Sequence, residues 1–163
     1  MNEYYRSQLE SALEYQDFVI KQLCRYGIFI GAYSSRKYQY EVGESTCGIE
    51  IKHDDLMKRT GNVYIEVAEK SDASLPEYTL SGIFRKDNSW LYLIGDYTDA
   101  YMFSKWQLQH IYRVNKRNKE NGEPLWEGFT PRQTPTSIAF TYKIEAARKH
   151  GYILKHFVFS GGK

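Results

Sequence analysis

Apolar residues first recur at helical intervals. Between residues 7 and 26, Leu9, Leu13, Ile20 and Leu23 form a stripe, while Glu10, Glu14, Asp17 and Lys21 fall three and four apart on another face. Ser7 with Glu10 makes a capping box at the start, and Gly27 suits the end. The pattern then changes to short β-like runs at 28–33, 38–42, 47–53 and 62–69. The link between the last two holds Thr60-Gly61-Asn62, a turn signal, and has room for a helical turn around Leu56 and Met57. An antiparallel pairing of these two strands follows. Residues 78–85 and 89–94 read as a hairpin closed at Lys86-Asp87-Asn88, and 100–103 extends the β region. Ser104, with Gln107 as capping partner, opens a helix whose apolar face is Leu108, Ile111 and Tyr112. Residues 115–123 read as a polar, mostly basic loop. Pro124, Pro131 and Pro135 make 124–137 irregular. A last helix spans 142–150 and stops at Gly151, and 152–159 is apolar but of open type. This order predicts an α+β (mixed α/β) fold, with a single central, mostly β sheet flanked by helices, in one domain over 1–163.

Composition supports a folded core. Of 163 residues, 42% are hydrophobic and 16% aromatic, 15 of them Tyr, which argues against disorder. The formal net charge of +2 does not by itself mark a polyanion binder, so nucleic-acid contact must come from local patches. Two such clusters stand out: Arg113, Lys116, Arg117 and Lys119, then Lys143, Arg148, Lys149 and Lys155. Interleaved Tyr and Trp could stack on bases, whereas the plain reading is solubilising charge over an aromatic core. Cys24 and Cys47 show neither a disulfide framework nor metal spacing, so a reducing compartment is the default. Cys47 reads as a buried strand residue with no base to activate it. The polar N-terminus lacks the apolar region of a signal peptide, and no apolar run approaches membrane-spanning length. The expectation is a soluble cytoplasmic protein without a membrane partner.

The strands at 47–53 and 62–69 both carry acids and a nearby lysine, and charge inside a sheet is costly unless compensated. Alternation puts Glu50, Lys52 and Asp54 on one face, opposite Ile49 and Ile51. It puts Glu66, Ala68 and Lys70 together, opposite Ile65, Val67 and Glu69. If the polar faces coincide, Glu50, Lys52 and Glu66 converge, with Glu44 in reach. Carboxylates are hard ligands for Mg²⁺ or Mn²⁺, which can activate water and offset phosphoryl charge. A nearby lysine can orient the water or neutralise developing charge. The plain alternative is a solvated face with cross-strand pairs, Glu50 with Lys70 or Glu66 with Lys52, worth about 0.2–1 kcal/mol each. His53 reads as a turn or surface residue, and His110, His150 and His156 lack zinc-ligand spacing.

Glu44 followed by Glu50-Ile51-Lys52 resembles the core of the PD-(D/E)xK nuclease superfamily. The longer run Gly-Glu-(x3)-Gly-Ile-Glu-Ile-Lys-x-Asp, then Thr-Gly-Asn and Ile-Glu-Val-Ala-Glu-Lys, is similar to small phage and bacterial proteins of that kind. The likeness is strongest over 40–70 and continues more weakly to Phe103-Ser104-Lys105. It implies a restriction-endonuclease-like α-β-β-β-α-β core and hydrolysis of nucleic acid, DNA before RNA, with Mg²⁺ or Mn²⁺. By resemblance, Glu44 and Glu50 are metal ligands, with the Ile51 carbonyl as a third, and Lys52 is the catalytic lysine. Asp54, Asp55, Glu66 and Lys70 would support the site, and from the local basic cluster Arg113, Lys116 and Arg117 are the candidates for nucleic-acid contact. No Pro-Asp precedes the triplet and the spacer is short, so a second register stays open: Asp54 or Asp55, then Glu66, with Lys70 as a displaced lysine. A first-helix acid can also support the metal in this superfamily, which brings in Glu14 and Asp17 beside their plain reading as an exposed helix face. A homodimer is implied by resemblance alone. The alternatives are a nonenzymatic nucleic-acid- or protein-binding module on the same fold, and a structural protein whose acids form ion pairs.

Overall fold

A computed structural model describes residues 3–32, 38–39 and 42–160, with side chains from residue 11 onward. Tyr33, Tyr40, Glu41 and the side chains of Ser7, Leu9 and Glu10 lie outside that description, while the helix already begins at Glu3, ahead of the capping box expected at Ser7. The fold is α+β, but it holds two four-stranded sheets rather than a single central one. Its chain contacts gather into two compact units, one of Met1–Asp55, Asp87–Met102 and Lys155–Lys163, the other of Leu56–Lys86 and Phe103–Leu154. Among the described residues no helix is long and apolar enough to cross a membrane.

The first unit opens with α1 (Glu3–Cys24), whose buried stripe is Tyr15, Val19 and Leu23. These stand four apart, on one side of a helix. Leu13, assigned to the apolar stripe from spacing alone, is instead 43% exposed, and Glu14 and Asp17 are also exposed. Tyr15, Val19 and Leu23 pack with Ile49, Ile51, Leu91, Leu93, Ala100, Met102 and Phe157 in one apolar cluster. The sheet there has the order β1 (Ile49–His53), β4 (Leu91–Gly95), β5 (Asp99–Ser104), β8 (Ile153–Val158). Strand β1 runs parallel to β4, Ile49 opposite Leu91 and His53 opposite Gly95. The expected antiparallel pairing of the two charged strands is therefore overturned. The physical sign is burial of Ile49, Glu50 and Ile51 together, since parallel strands are covered on both faces. Within the described part of the 28–33 segment, a bridge joins Ala32 to Ser45. Tyr38 and Gln39 are helical rather than extended, and the Val42 N–H donates to the Tyr38 carbonyl (2.8 Å).

The second unit holds α2 (Met57–Thr60), the helical turn expected near Leu56 and Met57, which ends at Gly61 with φ +67°. Its sheet has the order β3 (Thr79–Leu80), β2 (Asn62–Glu69), β7 (Ser137–Lys143), β6 (Phe129–Gln133). β2 is antiparallel to both neighbours, with a bulge between Glu66 and Ala68 that breaks strict alternation, so Val67 and Ala68 are both buried. The hairpin expected over 78–94 does not form. Thr79–Leu80 pairs with β2, Gly82–Phe84 is a 3-10 turn, and Leu91–Gly95 belongs to the other sheet. Gly82 explains the break: its φ is +49°, and a Cβ there would lie 2.3 Å from the Glu66 carbonyl oxygen.

The expected basic loop is instead the continuation of α3 (Lys105–Glu120). Asn115 is fully buried; its amide donates to the Ile111 carbonyl (2.7 Å) and accepts from the Trp126 N–H (2.7 Å). Polarity there serves packing, and the chain turns only at Gly122, φ +71°. Ser104 stands at the helix N-cap but makes no side-chain cap bond. The proline-rich segment contains β6, with Pro131 in it, because β6 is an edge strand and an edge tolerates a missing N–H. β7 runs on to Lys143, so the last helix, α4 (Ile144–Lys149), is shorter than expected. The open-type segment is mostly β8.

Candidate active site

The turn before β1 sets the site. Ser45, 1% exposed, donates its hydroxyl to the Ile49 carbonyl (2.7 Å) and accepts from the Ile49 N–H (2.9 Å). Asn88 Nδ2 donates to the Ser45 carbonyl (2.8 Å), and Trp90 Nε1 to the Cys47 carbonyl (2.9 Å). Gly48 has φ +72°, and a Cβ there would meet Trp90 Cδ1 at 2.5 Å. This clamp brings Glu44 back beside the strand. Cys47 lies in the turn with its side chain exposed, which corrects its reading as a buried strand residue.

Glu44, Glu50 and Lys52 converge. Lys52 Nζ lies 2.6 Å from Glu50 Oε1 and 3.3 Å from Glu44 Oε1. Exposure grades across the three: Glu50 1%, Glu44 22%, Lys52 40%. Glu50 Oε2 is buried and has no hydrogen-bond partner among the described residues. A carboxylate oxygen in that state carries a solvation penalty that one lysine contact to its twin oxygen does not remove.

Just beyond, the Asp54 N–H extends the ladder to the Gly95 carbonyl (2.8 Å). Asp55 is 76% exposed, with Oδ1 2.8 Å from His53 Nε2. His53 is not a surface histidine: 12% exposed, it stacks on Tyr15 at 4.3 Å and meets Tyr97 edge-on at 5.2 Å. Burial, and then the charges of Asp96, Tyr97 and Asp54, push the Tyr15 phenol well above its ordinary range. The sequence signal for this aromatic backing is the four-residue spacing of Tyr15, Val19 and Leu23.

Glu66 and Lys70 belong to the second unit. Pairing of β1 and β2 was the condition for Glu66 to join Glu50, and the strands belong to different sheets. Ser81 donates its hydroxyl to Glu66 Oε1 (2.7 Å). Lys70 Nζ donates to the Leu75 carbonyl (2.7 Å) and lies 4.1 Å over the Tyr78 ring. The suggested cross-strand pairs of Glu50 with Lys70 and Glu66 with Lys52 required β1 to pair with β2, and the two strands belong to different sheets.

The basic residues Arg113, Lys116 and Arg117 are on α3, exposed. Arg113 packs its guanidinium 5.1 Å over Phe84, and Lys116 Nζ is 3.9 Å from Glu120. In the second cluster Lys149 pairs with Glu127 at 2.7 Å. That bond holds Glu127 below its ordinary carboxylate value and Lys149 above its ordinary value. Among the described residues no group of three or more His, Cys, Asp or Glu is placed to hold a metal ion, so the site offers two carboxylates. No family model, no curated protein and no solved structure matches the chain.

Proposed function

We propose that Glu44, Glu50 and Lys52 form a metal-dependent site for phosphodiester hydrolysis in nucleic acid, DNA before RNA, on a restriction-endonuclease-like core. The observation that carries this reading is Glu50: a carboxylate 1% exposed, one oxygen against Lys52 and the other without a hydrogen-bond partner among the described residues. The donor set fits Mg²⁺ or Mn²⁺, since such ions are often held by one or two carboxylates and keep several waters. Glu50 Oε2 and the Glu44 carboxylate would hold the ion. When bound, it supplies an activated water and offsets charge on the phosphoryl group. Lys52, the most exposed of the three, reaches solvent, where its Nζ can donate to phosphoryl oxygens as charge develops. In hydrolysis the water oxygen would bond to phosphorus as the ester P–O bond breaks, the water giving up a proton to solvent and the leaving oxygen taking one up.

A second reading has its own support. Lys52 already compensates both carboxylates at 2.6 and 3.3 Å, so the trio can also serve as an ion-paired anchor in a nonenzymatic binding module. Cleavage of plasmid and single-stranded DNA with Mg²⁺ or Mn²⁺, beside folded Lys52→Ala, separates the two. Cleavage by the native protein alone is the expected result. Equal cleavage by both, or by neither, counts against the site.

A further inference from the structure

The second unit has a groove of about 570 Å³ between the outer half of α3 and strands β6 and β7. That volume falls within the roughly 300–1,000 Å³ of small-molecule sites. Three cations line it, Lys116, Lys119 and Arg132, against one acid, Glu120. Glu120 lies 3.9 Å from Lys116, both about 60% exposed, a weak pair. Lys119 and Arg132 have no ion-pair partner among the described residues. The floor is apolar, with Phe129 and Pro131, and Gln133 adds a neutral amide. Excess positive charge beside an apolar floor suits a ligand that is both anionic and partly apolar, as a nucleotide is. Neither Arg113 nor Arg117 lines the groove, which separates them from Lys116.

We propose that this groove binds nucleotide units of a single nucleic-acid strand, with Lys116, Lys119 and Arg132 on its phosphates. The choice of a strand rests on the proposed function; a free nucleotide shares the chemistry, and the test distinguishes them. The plain role for Lys119 is favourable charge at a helix C-terminus, which would alter stability and leave binding unchanged.

Binding of a labelled single-stranded oligonucleotide, followed by fluorescence anisotropy in EDTA over a salt series, tests the groove on the full chain. The double variant Lys119→Ala/Arg132→Ala, exposed at both positions, should stay folded by circular dichroism. It should bind at least about tenfold more weakly, with a salt slope lower by roughly 1.4 for two lost contacts on a single strand. Competition by a nucleoside monophosphate at matched nucleotide concentration would support the groove and make the free nucleotide its ligand. Equal affinity and slope for native and double variant would overturn the groove and leave the cleavage site standing. Absence of strand binding by the native protein at low salt would also overturn it, while the cleavage assay decides the other site separately.

Discussion

Strands β1 and β2 look alike in sequence, Ile49-Glu50-Ile51-Lys52 against Ile65-Glu66-Val67-Ala68, and the fold treats their acids differently. Glu66 sits in an antiparallel sheet, half-buried, with a serine hydroxyl on one oxygen. Glu50 sits in a parallel pair, fully buried, with Lys52 on one oxygen and no hydrogen-bond partner on the other among the described residues. The motif around an acid is a weak guide to its role; the covering of its strand is a stronger one. An acid that a neighbouring hydroxyl satisfies is a structural group. An acid buried with an open oxygen invites a cation.

The largest effect expected from this contrast is on Lys52→Ala. Removing one partner of a buried pair costs about 3–5 kcal/mol, and partial exposure of Lys52 puts this case near 3 kcal/mol. Thermal unfolding should show the loss, and adding Glu50→Gln should recover much of it, because the uncompensated charge goes too. A loss that the second substitution deepens would mean that Glu50 is held by something other than Lys52.

Alkaline pH gives the next effect, in both units. Burial first, then Tyr152 and Glu127, push the Tyr142 phenol up to about 12. Its folded value is raised over the ordinary value of about 10. Its contribution is thus fully present below about pH 10 and is lost as pH rises toward about 12. Tyr15, raised further, carries its loss to higher pH. Urea midpoints measured upward from pH 9 or so should fall across this window, and Tyr142→Phe should flatten the fall.

Glu66→Ala should cost about 1–2 kcal/mol by leaving the buried Ser81 hydroxyl unsatisfied, and should leave DNA cleavage unchanged. A cleavage defect in a folded Glu66→Ala protein would favour the second register, in which Glu66 is a ligand. The smallest effect concerns Glu127 and Lys149, both exposed. Glu127 is lowered, so its contribution is present above the ordinary carboxylate value and lost as pH falls through its folded value. The small Tm difference between native and Glu127→Gln proteins should vanish in acid.

Much of the second unit's local structure was legible. β2 matches its predicted span, and Gly61 and Gly151 punctuate helices as their positive φ allows. Sheet membership was not legible, because Ile-Glu-Ile-Lys reads as alternating although all of Ile49, Glu50 and Ile51 are buried. Nor was the length of α3, since Asn115 and Asn118 look like solvent-facing polar residues and are in fact buried and bonded to Ile111, Trp126 and Pro124. Arg132 escaped notice because the prolines around it argued against a strand. At the candidate site, Glu44, Glu50 and Lys52 could be picked out together from spacing alone. The grading of their exposure, which separates Glu50 from Glu66, depends on neighbours far along the chain.

Calorimetric titration of Mn²⁺ into the native protein, Glu50→Gln and Glu66→Gln decides whether Glu50 is a metal ligand. The native protein and Glu66→Gln should bind with equal affinity, and Glu50→Gln at least about tenfold more weakly, a difference of about 1.4 kcal/mol or more. Loss of Mn²⁺ binding in Glu66→Gln with retention in Glu50→Gln would contradict it.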